Sequence, residues 1–119
     1  CRAVAAAARV LAVEGLARAA QQGDDRALAV LRAGLRDWHA AVRKASLEAL
    51  VQVAQKGDRR AVFARKLAIE ALSPVVQRTG DKGALAALAA GLQDSHEAVR
   101  RAALAALCRL SVHGESVEA

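Results

Sequence analysis

The chain has 119 residues, enough for one ordinary domain and too few for two, and 55% of them are hydrophobic, with one Trp, one Phe, no Tyr and no Met. Most of that apolar content is alanine, leucine and valine, which favours closely packed helices over the β-branched and aromatic surfaces of sheets, so an all-α fold is expected. A formal net charge of +6 and a pI near 10.4 raise the question of an anionic partner, while Arg or Glu interrupts every alanine-rich stretch and leaves no run long enough for a membrane span.

Residues 1–22 begin at Cys1 as though already inside a helix, which suggests a processed chain or a fragment of a longer array, and no signal peptide can be read there. Within them Arg9–Leu16 (RVLAVEGL) matches a later segment, Arg43–Leu50 (RKASLEAL), at an offset of 34. Residues 23–56 resolve into two helices by periodicity. The first runs from about Asp24 to Leu35, where Leu28, Leu31 and Leu35 at i, i+3 and i+7 form one apolar stripe that ends at Gly34 and Asp37. The second runs from about Ala40 to Gln55. It places Val42, Ala45, Ser46, Ala49, Leu50 and Val53 on one face and Lys44, Glu48 and Gln55 on the other, with Gly57 as its stop.

Residues 57–79 are a shortened copy. Gly57-Asp58 opens it, but Arg65–Leu72 (RKLAIEAL) matches Arg43–Leu50 at an offset of 22 instead of 34, so twelve residues covering the end of the first helix, its turn and the start of the second have no counterpart. Either the two helices are fused or a stretch is missing from the chain between about Phe63 and Arg65. A missing stretch is the expectation, because a fused helix would leave its neighbours without a packing partner. Pro74 falls where the other copies continue as helix and should kink or restart it.

Residues 80–113 repeat 23–56 at an offset of 57, with Gly80-Asp81 for Gly23-Asp24, Gly91-Leu92 and Asp94 for Gly34-Leu35 and Asp37, and Ala98-Val99-Arg100 for Ala41-Val42-Arg43. Residues 114–119 then look like the start of another unit. Spacings of 34 from Gly23 to Gly57 and from Gly80 to Gly114 suit a helix pair that cannot bury its stripe alone and must stack on its neighbours.

The string Asp37-x4-Val42-Arg43-x-Ala45-x3-Ala49-Leu50, with its twin Asp94-x4-Val99-Arg100-x-Ala102-x3-Ala106-Leu107, resembles the signature of HEAT repeats over nearly the whole chain. The resemblance implies an α-solenoid of stacked antiparallel helix pairs. It also implies that Asp37, Arg43, Asp94 and Arg100 form a ladder of carboxylate–guanidinium contacts between successive repeats, a task suited to the two-pronged Arg side chain. It further implies a non-catalytic scaffold that holds another protein, as one segment or subunit of a larger assembly, along a concave surface lined by second helices. The outward residues there are Glu14 and Arg18, then Lys44, Glu48 and Gln52, then Lys66 and Glu70, and last Arg101 and Arg109. Glu14, Glu48 and Glu70 share one helical position and suit pairing with Arg18, Lys44 and Lys66, or else a strip of the binding face.

Mixed signs on that surface favour a protein partner. A nucleic-acid groove calls for a positive stripe with aromatics, and only Trp38, expected as a packing cap in a turn, and Phe63 are available. Nucleic-acid binding through the basic concave residues is one alternative. An enzyme of the bilin-lyase type is another, since those lyases share the resemblance, though on fold alone.

Catalytic, cofactor and metal sites are not expected. No GxSxG, HExxH, GxxxxGK[ST] or GxGxxG occurs. His39 and His96 occupy equivalent turns, but packed helices about 8–10 Å apart cannot bring such positions to a shared metal, and His113 has no partner at ligand spacing. Cys1 and Cys108 form no framework and read as free thiols, which fits a reducing compartment such as the cytoplasm or an organelle interior.

Overall fold

A computed structural model describes the backbone of residues 2–118 and the side-chain surroundings of residues 4–110, so Cys1, Ala119 and the side chain of His113 lie outside the described residues. All regular structure among them is helical: α1 (Arg2–Gln21), α2 (Asp25–Gly34), α3 (Ala40–Lys56), α4 (Val62–Thr79), α5 (Lys82–Gly91) and α6 (Glu97–Glu118).

The helix boundaries follow from local chemistry that the two long copies share. Asp24 and Asp81 cap α2 and α5, each carboxylate accepting from the amide three residues on, at 3.0 Å from Ala27 and 2.9 Å from Ala84. Gly23 and Gly80 precede these caps with φ of 97° and 67°, left-handed values that a side chain disfavours. His39 and His96 occupy the turns before α3 and α6, where each ring Nδ1 accepts from the amide two residues on, Ala41 or Ala98, at 3.2 Å. The turn histidines therefore support helix starts.

The shortened copy is one unbroken helix. α4 runs through Phe63, Ala64 and Arg65 without interruption, so the expectation of a missing stretch gives way to the fused alternative. It starts at Val62, because Asp58 before it closes a turn, taking the Arg60 amide on its carboxylate and the Ala61 amide on its carbonyl. The helix also continues past Pro74, whose ring is exposed, so the lost bond to the Glu70 carbonyl costs α4 no boundary. Likewise α6 passes through Gly114 to Glu118, with no break where a new unit was expected.

Consecutive helices run antiparallel, and the contacts sort them into two layers. α1, α3 and α5 pack side by side in one, and α2, α4 and α6 in the other. The result is a slab with extents of 46 × 37 × 17 Å, the thin dimension being that of two packed helix layers. Between the layers lies a continuous core in which Leu28, Leu31, Leu50, Ile69, Leu72 and Leu88 are fully buried.

Helix number has a consequence for this layering. Because the shortened copy contributes one helix where a pair was expected, each later helix changes layer. α3 and α6 are sequence-equivalent but lie in opposite layers and run in opposite directions, and so do α2 and α5. The second copy is placed as if turned half a revolution about the stacking direction. Burial follows the new neighbours: Leu28 is buried and its equivalent Leu85 exposed, whereas Val30 is exposed and its equivalent Ala87 buried. α2 has a layer neighbour only on the side of α4, and α5 only on the side of α3.

Two buried hydroxyls, those of Ser46 and Ser73, have no hydrogen-bond partner among the described residues. Ala103 stands where Ser46 would in the other copy and is equally buried. Ser46→Ala should therefore leave stability unchanged or raise it by up to about 1 kcal/mol in urea melts, since it removes an unpaired polar atom. A clear loss of stability would show that the hydroxyl has a partner.

Candidate functional site

The outward residues expected on one concave face are divided between the two layers. Glu14, Arg18, Lys44, Glu48 and Gln52 belong to α1 and α3, and Lys66, Glu70, Arg101 and Arg109 to α4 and α6. All are exposed except the half-buried Gln52 and Lys66. The single nine-residue surface is thus not formed, and the physical reason is the odd helix, which sends the second half of the set to the other layer. Glu14 and Glu48 still share a layer; Glu70 does not join them. Arg101 pairs at 3.1 Å with Glu97 of its own helix.

The expected ladder also has different members. Asp37 receives both prongs of Arg9 at 2.9 and 3.0 Å, and Asp94 both prongs of Arg65 at 2.8 and 3.0 Å. Each tie joins parallel helices two apart in the chain, α1 to the turn before α3 and α4 to the turn before α6. Among the described residues, Arg43 and Arg100 reach no carboxylate. Arg43 donates to the carbonyls of Asp37 and Trp38, at 2.7 and 2.9 Å, and Arg100 to that of Asp94 at 2.8 Å, so each closes its own turn. Since α3 and α6 point in opposite directions, the two ties and the two histidine caps sit at opposite ends of the slab.

The ties differ in their surroundings. The Arg9 and Asp37 side chains are 45% and 16% exposed, and those of Arg65 and Asp94 only 4% and 10%. Arg65 also donates to the Asp58 carbonyl, and its stem lies close to Gly57, where an added Cβ would come within 3.2 Å of Cγ. At Asp37 the hydrogen bond from Arg9, then that from the His39 amide, holds the carboxyl below its ordinary value. At Asp94 burial is the largest single influence and pushes upward. The bonds from Arg65 and the His96 amide, with the attendant charges, together outweigh it and leave that carboxyl depressed as well.

A groove not foreseen from the sequence opens between α2 and α4. The two helices run parallel within their layer and are pinned at their N-terminal ends, where the Asp58 amide donates to the Gln21 carbonyl at 2.8 Å and Gly23 faces Ala61. A hollow lies between their C-terminal halves. Small apolar residues, Ala29 and Ala33 of α2 and Ala71, Pro74 and Val75 of α4, line the opening. Arg32, Arg36 and Arg78 stand on its rims with Glu70 as the only carboxylate. An adjoining hollow shares Leu35, Arg36, Val75 and Arg78 and adds Arg43 and Lys44 together with the carboxylates of Asp37 and Asp81. Arg32, Arg36 and Arg78 form no ion pair among the described residues. Their positions at the ends of two helices read, from sequence alone, as ordinary complements to helix dipoles. Only the pairing of α2 with α4 brings them together.

Trp38 is 91% exposed and does not cap any packing, and Phe63 is exposed too. Cys108 is a free, exposed thiol. Among the described residues no cluster of three His, Cys, Asp or Glu side chains is placed to hold a metal, and no helix is long and apolar enough to cross a membrane. No protein-family model, curated protein or solved structure matches the chain.

Proposed function

We propose that this chain is a non-catalytic helical-repeat scaffold of the HEAT type that binds another protein, as a segment or subunit of a larger assembly. The observation that carries this reading is the duplicated unit, in which the Gly-Asp caps, the Asp-x-His turns and most of the buried stripe recur, while surface residues such as Arg32 and Trp38 are replaced by Ala89 and Ser95 in the second copy. A repeat that keeps its caps and most of its core and varies its exterior suits recognition of a large surface. Exposed apolar residues at the edges of the slab, Leu11 on α1 and Leu104 on α6, suit cover by a partner chain. Affinity capture of the full-length protein, with and without nuclease, should yield the same co-purifying proteins in both arms, retained as salt is raised. Loss of all partners on nuclease treatment, with steep salt sensitivity, would replace this reading with nucleic-acid binding.

A further inference from the structure

We propose that the groove between α2 and α4 receives an acidic amphipathic α-helix of the partner protein, an inference that rests on the protein-binding reading above. Shape comes first. The two walls are helices pinned near their N-termini, and most of the apolar residues lining the hollow between their C-terminal halves are small: Ala29 and Ala33, one turn apart, on one wall and Ala71 and Pro74 on the other, beside the larger Leu35 and Val75. Small side chains on both walls let a third helix approach to an interaxial distance of about 8–10 Å.

Charge decides what that helix carries. Arg32, in the last turn of α2, and Arg36, in the turn just beyond it, stand on one side and Arg78, in the last turn of α4, on the other, against the single carboxylate of Glu70. All three arginines are exposed and unpaired among the described residues. The C-termini of α2 and α4 meet the N-termini of α3 and α5 at this end of the slab, so the helix dipoles oppose one another. Asp37 and Asp81 of the adjoining hollow are engaged by Arg9 and by the Ala84 amide, and within the groove itself the three arginines face Glu70 alone. A helix with carboxylates along both flanks of an apolar stripe would place the flanks on the two rims and the stripe on the alanines. A phosphate backbone satisfies the arginines equally but has nothing to lay against Ala29, Ala33 and Val75, and no aromatic residue lines the groove for a base to stack on.

The test uses the full chain and three fluorescent probes at physiological salt. They are a synthetic helix of about five turns with a Leu/Ala stripe flanked by Glu, an isomer of the same composition with the stripe scrambled, and a single-stranded RNA. The striped helix should bind best. The pair Arg36→Glu and Arg78→Glu should weaken it by about tenfold or more, as should Ala33→Gln, which fills the floor without altering charge. Both variants change exposed positions, and circular dichroism checks that they fold. Equal binding of the scrambled isomer, preference for RNA, or indifference to either variant overturns the proposal. Capture experiments separate the two readings: if the doubly reversed protein still retrieves the same partners, the groove is wrong and the scaffold stands, whereas failure of the unaltered protein to retrieve any protein removes the scaffold itself.

Discussion

Arg65→Ala should lower the stability of this protein by about 3–5 kcal/mol, the usual cost of leaving one half of a buried ion pair behind, while Arg9→Ala produces a much smaller change. For a chain of this size that difference amounts to a fall of roughly 10 °C or more in Tm. The two arginines occupy equivalent helical positions and make the same two-pronged contact, so sequence logic alone would rank them equal. Burial separates them. Arg65 is 4% exposed, lies beside Gly57 and donates to the Asp58 carbonyl as well as to Asp94, whereas Arg9 is on an edge helix and 45% exposed. Removing Arg65 strands a largely buried carboxylate and a backbone acceptor together; removing Arg9 returns Asp37 to water. Thermal melts of the two variants that coincide would refute the assignment.

The same contact predicts an acid dependence. Asp94 has a folded-state pKa depressed below the unfolded value, so its contribution is fully present above the ordinary carboxylate range and is lost as pH falls through the folded value. Asp37 behaves alike at its exposed tie. Asp94→Asn should therefore be less stable than the parent near neutrality and lose less on acidification, with the residual slope coming from Asp37 and other carboxylates. Parallel pH profiles for the two proteins would show that the Asp94 charge is not what Arg65 holds.

Local chemistry explains which parts of this architecture were legible in the sequence. Gly-Asp before α2 and α5, and the Asp-x-His turns before α3 and α6, act within a few residues, so a repeated string yields a repeated element wherever it falls. The layering is different in kind. It depends on how many helices precede a given one, and no string near Lys66 or Arg101 records that Lys44 lies in the other layer. The true ladder partners lay between these extremes. Arg9 and Arg65 align with Arg43 and Arg100 in the repeat, and a carboxylate in the turn before a helix is reached by the arginine of the helix it packs against in parallel, 28 or 29 residues earlier. The nearer arginine, six residues on, was the more obvious candidate, but it is used by the turn's own carbonyls. The groove was least legible of all, because Arg32, Arg36 and Arg78 become one site only after α4, lacking a first helix of its own, takes its place beside α2.

Gly91→Ala should destabilise the fold by about 1–3 kcal/mol, as overpacking does, whereas the same substitution at Gly15 should stabilise it by up to about 1 kcal/mol through helix propensity. Gly15 lies exposed within α1, and a Cβ added there would meet nothing within 4 Å. At Gly91 an added Cβ would stand 2.7 Å from Ile69 Cδ1 and 2.8 Å from Ala103 Cβ. The isoleucine end can rotate away, but the Ala103 methyl is fixed to the α6 backbone, so α5 and α6 must move apart. Gly34 is the equivalent position in the first copy and faces Ser46, where the closer atom is the hydroxyl. Gly34→Ala should accordingly be costly in the parent and less so with Ser46→Ala, while Gly91→Ala should be relieved by Ala103→Gly, which removes the immovable contact. Additive effects in both pairs would mean that these glycines do not set the spacing between layers. Coupling in both would show that two oppositely oriented copies rely on the same close helix approach, the feature that keeps the slab thin and fixes the walls of the α2–α4 groove in place.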